Sequence, residues 1–307
     1  MEPMDSSDHS SQHEGAGRFG AVITRRELLA RGFTDQDIVR LRRDGYEVLA
    51  PGIYGRSADI GGDPVVAHRM LATELVGRAP AGTALARVSA AVAYGLPVWG
   101  MSLRQVHLAR EAAGHGSRSS MIARLHRSTT ATTVMRAGVA VQPIAAVAAD
   151  LARTEQLRAA VVCVDAALHR GLCAAPEIYA ELERQPRYGR AQALRVLARA
   201  DPASRNLADS LSRIEFADAG LPKPQHYAEL MGRHGERIGS PPFCWPAAAV
   251  VGLCGESAGD FDQACLLDAG YLSVQWTEVD ITSRPDWVID QLWRALLHQR
   301  PQLQSVG

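Results

Sequence analysis

The chain has 307 residues, 47% of them hydrophobic, and equal numbers of basic and acidic side chains, 33 of each. That length accommodates two or three domains, and the apolar content supports packed cores, which excludes a disordered chain. No apolar run approaches the roughly 20 residues of a membrane-spanning helix, so no membrane partner is expected. The zero net charge hides an asymmetry. Residues 19–56 hold seven arginines against five carboxylates, residues 57–200 seventeen against ten, and residues 201–307 eight basic groups against fourteen acidic ones. A basic front and an acidic back suit a chain whose first two-thirds meets nucleic acid.

The opening residues MEPMDSSDHSSQHEGAG are polar and acidic, without the basic-plus-apolar pattern of a signal peptide. A disordered tail over residues 1–18 and a cytoplasmic location are expected. The stretch from Ile23 to Tyr54 then reads as two short helices, a turn and a β-ribbon. Thr24 followed by Glu27 has the spacing of a capping box. Leu28 and Leu29 supply an apolar face, and Gly32 a left-handed stop. Thr34 starts a second helix with Asp35 and Asp37 in its first turn, where the helix dipole favours negative charge. Gly45 is expected to end it after about three turns. At about 100° per residue, Ile38 and Leu41 share one face, and Gln36, Arg40 and Arg43 share the other. Amide and guanidinium donors so placed read base edges and phosphates in a major groove. The plain alternative is a solvated helix face.

Tyr46–Leu49, then Ala50-Pro51-Gly52, then Ile53-Tyr54 reads as strand, turn and strand, the wing of a winged helix. The expectation is a winged-helix DNA-binding domain over residues 19–56. Arg25 and Arg26 would meet phosphates at the first helix, Gln36, Arg40, Arg42 and Arg43 the groove, and the turn at Gly52 the backbone.

Farther along, Asp63-Pro64 opens a helix ending near Gly77, and Ala84–Tyr94 reads as an Ala-rich helix closed by Gly95-Leu96-Pro97. Val106–Ala109 and Arg124–Ser128 read as strands separated by a polar loop over Gly114–Ser120. Val139–Val141 leads into helices Ala145–Ala152 and Leu157–Arg170. His107 and His126 sit in strand-like apolar surroundings with no carboxylate or second histidine near in sequence, so structural roles are expected, as for Asp150 and Asp165. The five cysteines (Cys163, Cys173, Cys244, Cys254, Cys265) form no C-x-x-C pair, and buried thiols are expected.

A new unit begins at Asp201-Pro202. A helix is expected over Asn206–Ala219, strands over Tyr227–Leu230, Ala248–Cys254 and Tyr271–Trp276, and helices over Phe261–Ala269 and Trp287–His298. Trp245, Trp276, Trp287 and Trp293 read as packing residues.

The segment RRELLARGFTDQDIVRLRRDGYEVLAPGIYG resembles the N-terminal winged helix of AbiEi-like antitoxins, the repressor halves of type IV toxin–antitoxin systems in actinobacteria. The ordered blocks LARVSAAVAYGLPVW, VHLAR, ARLHRS, AGVAVQPIAAVAADLA and AVVCVDAALHRGL extend that likeness over residues 20–200, with a departure at Gln142-Pro143-Ile144. The resemblance implies a promoter-binding transcriptional regulator whose α+β middle domain, residues 57–200, neutralises a nucleotidyltransferase-like toxin. Residues 201–307, with Phe-x-Trp-Pro, resemble the α/β restriction-endonuclease-like domain akin to very-short-patch repair nucleases. That family holds Mg²⁺ on clustered carboxylates, which activate water at the scissile phosphate.

Carried over here, the helix position keeps Asp209, the strand aspartate falls at Pro242, and the next strand's carboxylates fall near Gly252 and Cys254. The implied reading is a catalytically dead nuclease-like domain that binds no metal or cofactor, in a mixed α/β multidomain chain. The alternative is a metal-dependent endonuclease whose site is rebuilt from Glu256, Asp260 or Asp262.

Overall fold

The computed structural model describes residues 21–111, 118–128 and 132–303; the tail expected over residues 1–18 and most of the expected polar loop lie outside them. The chain is of the mixed α/β class. It divides into two compact units, one running to Gly95 and from Ser102 to Pro143, the other comprising Leu96–Met101 and everything from Ile144. The segment expected as one middle domain, residues 57–200, gives its strands to the first unit and its later helices to the second.

The first unit begins with β1 (Val22–Thr24), α1 (Arg25–Ala30), α2 (Asp35–Leu41), β2 (Tyr46–Ala50) and β3 (Ile53–Arg56), the strands pairing in the order β1-β3-β2. Both helices start on complete capping boxes, Thr24 with Glu27 and Thr34 with Asp37. Each box satisfies two backbone donors that a helix start otherwise leaves open. Such short helices are marginal alone. They are held by a small core of Ile23, Leu28, Ile38, Leu41, Tyr46 and Tyr54. The second helix is shorter than expected. It ends at Leu41, and Arg42, Arg43 and Asp44 form a hydrogen-bonded turn before Gly45 at φ +88°.

After α3 (Ser57–Ile60) comes α4 (Pro64–Gly77), started by Asp63, whose carboxylate accepts from the Val65 amide. A six-stranded sheet follows: β4 (Ala84–Leu85), β5 (Val106–Arg110), β6 (Arg118–Ser119), β7 (Ala123–Arg127), β8 (Val134–Arg136) and β9 (Val139–Val141), with α5 (Arg87–Ala93) between β4 and β5. The order is β6-β7-β5-β4-β9-β8, with β5–β7 and β4–β9 parallel and the rest antiparallel. The Ala-rich segment expected to be helical from Ala84 thus begins as a strand. Ala84 and Leu85 complete the ladder between β5 and β9, so tertiary pairing overrides alanine's helix propensity.

The second unit opens with four helices, α6 (Ile144–Thr154), α7 (Leu157–His169), α8 (Ala175–Arg184) and α9 (Arg190–Arg199), packed through small side chains such as Ala149, Ala152, Ala160 and Ala193. Next is α10 (Leu207–Asp218), N-capped by Asn206. A hairpin of β10 (Leu230–Met231) and β11 (Arg237–Gly239) leads to β12 (Phe243–Trp245), β13 (Val250–Cys254), α11 (Gln263–Asp268), β14 (Leu272–Trp276), α12 (Glu278–Ser283) and α13 (Pro285–Leu303).

Strands β12, β13 and β14 form one sheet, antiparallel then parallel. The central strand is buried at every residue. Val250 and Cys254 face a core shared with α10 and α13, while Val251 and Leu253 face one shared with α11. A strand covered on both faces reads as a continuous apolar run, as VVGLC does. Two expectations need correction. Trp287 is 39% exposed, with the Arg284 guanidinium 4.6 Å from its ring centre, because it lies on the outer side of the first turn of α13. Cys265 is an exposed thiol on α11. No helix among the described residues is long and apolar enough to cross a membrane.

Candidate nucleic-acid interface and the buried Asp209 cluster

The α1–α2 pair presents most of the expected nucleic-acid contacts, though not all of them free. The Glu27 carboxylate accepts from the Thr24 amide at 2.9 Å and from Arg78 at 2.8 Å. The Thr24 bond is the main reason its pKa lies below the ordinary value. Asp37 is lowered likewise, first by the Thr34 hydroxyl.

Arg25 is committed locally. Its guanidinium pairs with Asp35 at 2.7 Å, and its backbone N–H donates to the Gly52 carbonyl at 2.7 Å. Gly52, at φ +75°, is therefore the seat of the hairpin turn against the start of α1. Arg40 lies 3.9 Å from Asp37, a loose and solvated pair. Arg26, Arg42 and Arg43 are exposed and pair with no carboxylate among the described residues. Gln36, Arg40 and Val39, which is 70% exposed, complete the outer surface of α2 over the buried Ile38 and Leu41.

The six-stranded sheet holds a constellation that strand-by-strand reading misses. In the parallel β5–β7 ladder Ala109 pairs with His126, and His107 with Arg124. The rings of His107 and His126 stack at 5.1 Å, with Nδ1 of one 3.0 Å from Nε2 of the other. One nitrogen must donate and the other accept, so the bond is lost when both rings are protonated. Burial first, then the Arg87 and Arg124 charges, hold His107 at a pKa of about 4; burial, Arg87 and His107 hold His126 at about 3.

Behind them His68 Nδ1 lies 3.0 Å from the Leu103 carbonyl, an acceptor only, so Nδ1 carries the proton. Its Nε2 then accepts from the Ser89 hydroxyl at 2.8 Å, and Ser89 accepts from the His107 amide at 2.8 Å. A serine beside a histidine is the geometry of an activated nucleophile. Both side chains are buried, and the bonds tie α4 and α5 to β5.

In the second unit the structure gathers the positions expected to descend from a metal site. Asp209, with no exposed surface, accepts from the Arg205 amide at 2.9 Å, the Tyr227 hydroxyl and the Cys254 thiol at 3.1 Å. Burial and the bond to Asp209 push the Tyr227 hydroxyl upward, and burial beside the Asp209 charge does the same to Cys254, so both remain protonated donors. The Arg205 guanidinium sits 3.4 Å over the Tyr227 ring.

Pro242 is buried just before β12. Gly252 faces Phe243 across the ladder, and a Cβ there would come within 2.6 Å of the Trp276 ring. The space for a strand carboxylate is filled by indole. Asp262 caps α11 through the Ala264 amide, Asp260 is exposed in the preceding turn, and the Glu256 side chain lies outside the described residues. Among the described residues no group of three or more histidine, cysteine or acidic side chains is placed to hold a metal ion.

Comparison with protein-family models and with curated proteins finds no match for this chain.

Proposed function

We propose that the chain is a sequence-specific DNA-binding transcriptional regulator of the AbiEi antitoxin type, in which residues 21–56 form a winged helix and the second unit's sheet is a nuclease-like domain without catalysis. The observation that carries the reading is the outer surface of α2. An exposed amide, an exposed valine and the guanidiniums of Arg40, Arg42 and Arg43 stand over a sealed apolar core. Gln36 suits an adenine edge, Val39 a thymine methyl, and the arginines guanine or phosphate. Arg26 adds a phosphate contact at the start of α1, whereas Arg25 and Gly52 serve the module internally.

The catalytic silence of the second unit is supported by the three protein donors already held by Asp209 and by the indole over Gly252. Neutralisation of a partner toxin belongs to the same reading through the likeness of residues 57–200.

The test is a gel-shift titration of the full chain against its own upstream promoter and an unrelated duplex, with Mg²⁺ in a parallel lane. A specific shift of uncut DNA is expected. Equal affinity for both duplexes contradicts the regulator, and cleavage in the Mg²⁺ lane contradicts the silent nuclease-like domain.

A further inference from the structure

Between Glu74 and Asp150 the sequence holds eight arginines and a single carboxylate, Glu111. This is the stretch that builds the six-stranded sheet. In the second unit arginines such as Arg153, Arg158, Arg213 and Arg284 are each paired with a carboxylate. In the sheet the pattern is different. Arg104, Arg110, Arg124 and Arg127 form no ion pair among the described residues, and neither does Glu111. Arg104, Arg124 and Arg127 are exposed.

Two of these arginines are set side by side. In the parallel β5–β7 ladder Arg110 is the direct partner of Arg127, at the C-terminal end of both strands. Residues paired in this way project from the same face of the sheet, with their strands about 4.8 Å apart. Two places earlier on that face the pair is Leu108 and Leu125, the first buried and the second half-buried. The face therefore passes from apolar to doubly cationic at its rim. The neighbouring β6 places Arg118 at the register position opposite Leu125. Arg110 is half-buried and its Nε is enclosed, which holds this side chain against the protein, whereas Arg127 stands in solvent.

Like charges directly opposite one another destabilise a ladder. The fold gains nothing from this juxtaposition, and an anion that bridges the two side chains reverses its sign. The planar fork of a guanidinium matches the oxygens of a phosphate group. A protein partner fits less well. Protein interfaces centre on apolar and aromatic anchors, and β5, β6 and β7 carry no Phe, Tyr or Trp.

We propose that the Arg110–Arg127 end of the β5–β7 ladder is a second nucleic-acid contact, which binds the phosphodiester backbone of duplex DNA without reading its sequence. Arg104 and Arg124, exposed at the other end of the same strands, widen the positive field that draws the duplex in. The contact extends the nucleic-acid reading of α2 to the sheet, and it requires no recognition of a promoter.

The test uses the full chain and two variants, Arg110→Gln with Arg127→Gln, and Arg127→Gln alone. Each is titrated against the chain's own promoter duplex and an unrelated duplex of equal length at several salt concentrations. The double variant is expected to bind both duplexes more weakly. Its slope of log affinity against log salt should be shallower by about 2, roughly 0.9 for each phosphate no longer neutralised, and that of the single variant by about 1. The ratio of affinities for the two duplexes should equal the parent's, because a phosphate contact carries no sequence information. The melting temperature of the double variant should stay at or above the parent's, since a repulsion is removed; a merely structural pair would lower it.

Parent protein that binds both duplexes equally contradicts promoter recognition by α2, while the shallower slope of the variants still supports the sheet contact. The proposal is overturned by a folded double variant with the parent's affinity and slope on both duplexes, by a loss confined to the promoter, or by parent protein that binds neither duplex. Because Arg127 is exposed, the single variant keeps the test free of any folding defect.

Discussion

The outer surface of α2 and the Asp209 cluster make opposite use of charge. Around α2 the carboxylates go into capping boxes and into ion pairs with Arg25, Arg40 and Arg78, and Arg42 and Arg43 are left facing solvent. Around Asp209 one carboxylate takes three donors and no part of it meets water. Exposed donors have exchanged nothing for their hydration and are open to a partner at little cost to the fold. A buried acceptor that holds three donors of the protein belongs to the fold, and removing it strands them. The comparison predicts stability effects at Asp209 and binding effects at α2.

The largest effect is expected at Asp209. Asp209→Ala leaves the Tyr227 hydroxyl, the Cys254 thiol and the Arg205 amide without their acceptor, and should cost about 2–4 kcal/mol in urea unfolding. A loss below about 0.5 kcal/mol would mean that the cluster is not structural.

Gly252→Asp sharpens the same point. It places a carboxylate where the Trp276 ring stands, and overpacking there should cost about 1–3 kcal/mol. Calorimetry with Mn²⁺ should show no metal uptake by the folded variant; tight single-site binding would show that the space is available after all.

The histidine pair gives an intermediate, pH-dependent effect. Both residues titrate below the ordinary value of 6.5 in the folded protein, His107 at about 4 and His126 at about 3. Between 6.5 and about 4 the unfolded chain therefore binds protons that the folded chain refuses. Their contribution is complete above 6.5 and is lost as pH falls to about 4 for His107 and to about 3 for His126. The melting temperature should drop on acidification, and by less in His126→Gln protein. Parallel curves for the two proteins would remove the pair from the account.

The stability effect of Arg42→Ala with Arg43→Ala should be the smallest, within about 0.5 kcal/mol of the parent.

What is legible in the sequence is local. The box Thr24–Glu27, the Thr34 start of α2 and the turn at Pro51-Gly52 follow from spacings of a few residues, as does the Asn206 start of α10. Helices α8 and α9 also carry a readable signal, in the spacing of Ile178 and Leu182 and of Ala193, Val196 and Leu197, although neither is among the expected elements. The rest depends on residues distant in sequence. A parallel register brings His107 and His126 together across 19 positions, and no pattern within either strand reports it. At the Asp209 cluster, Pro242, Gly252 and Cys254, the positions where the resemblance places carboxylates, are visible in the sequence, but what surrounds them is not. Trp276 closing over Gly252, and Tyr227 and Cys254 as donors to Asp209, come only from the folded sheet.

The most direct test of the α2 surface is a titration of the parent protein and the Arg42→Ala, Arg43→Ala variant against the chain's own promoter DNA at two salt concentrations. The account predicts weaker binding by the variant and a salt dependence shallower by about 1–2, roughly 0.9 for each phosphate no longer neutralised, with thermal stability unchanged. A stably folded variant that keeps the parent's affinity and salt slope would contradict it.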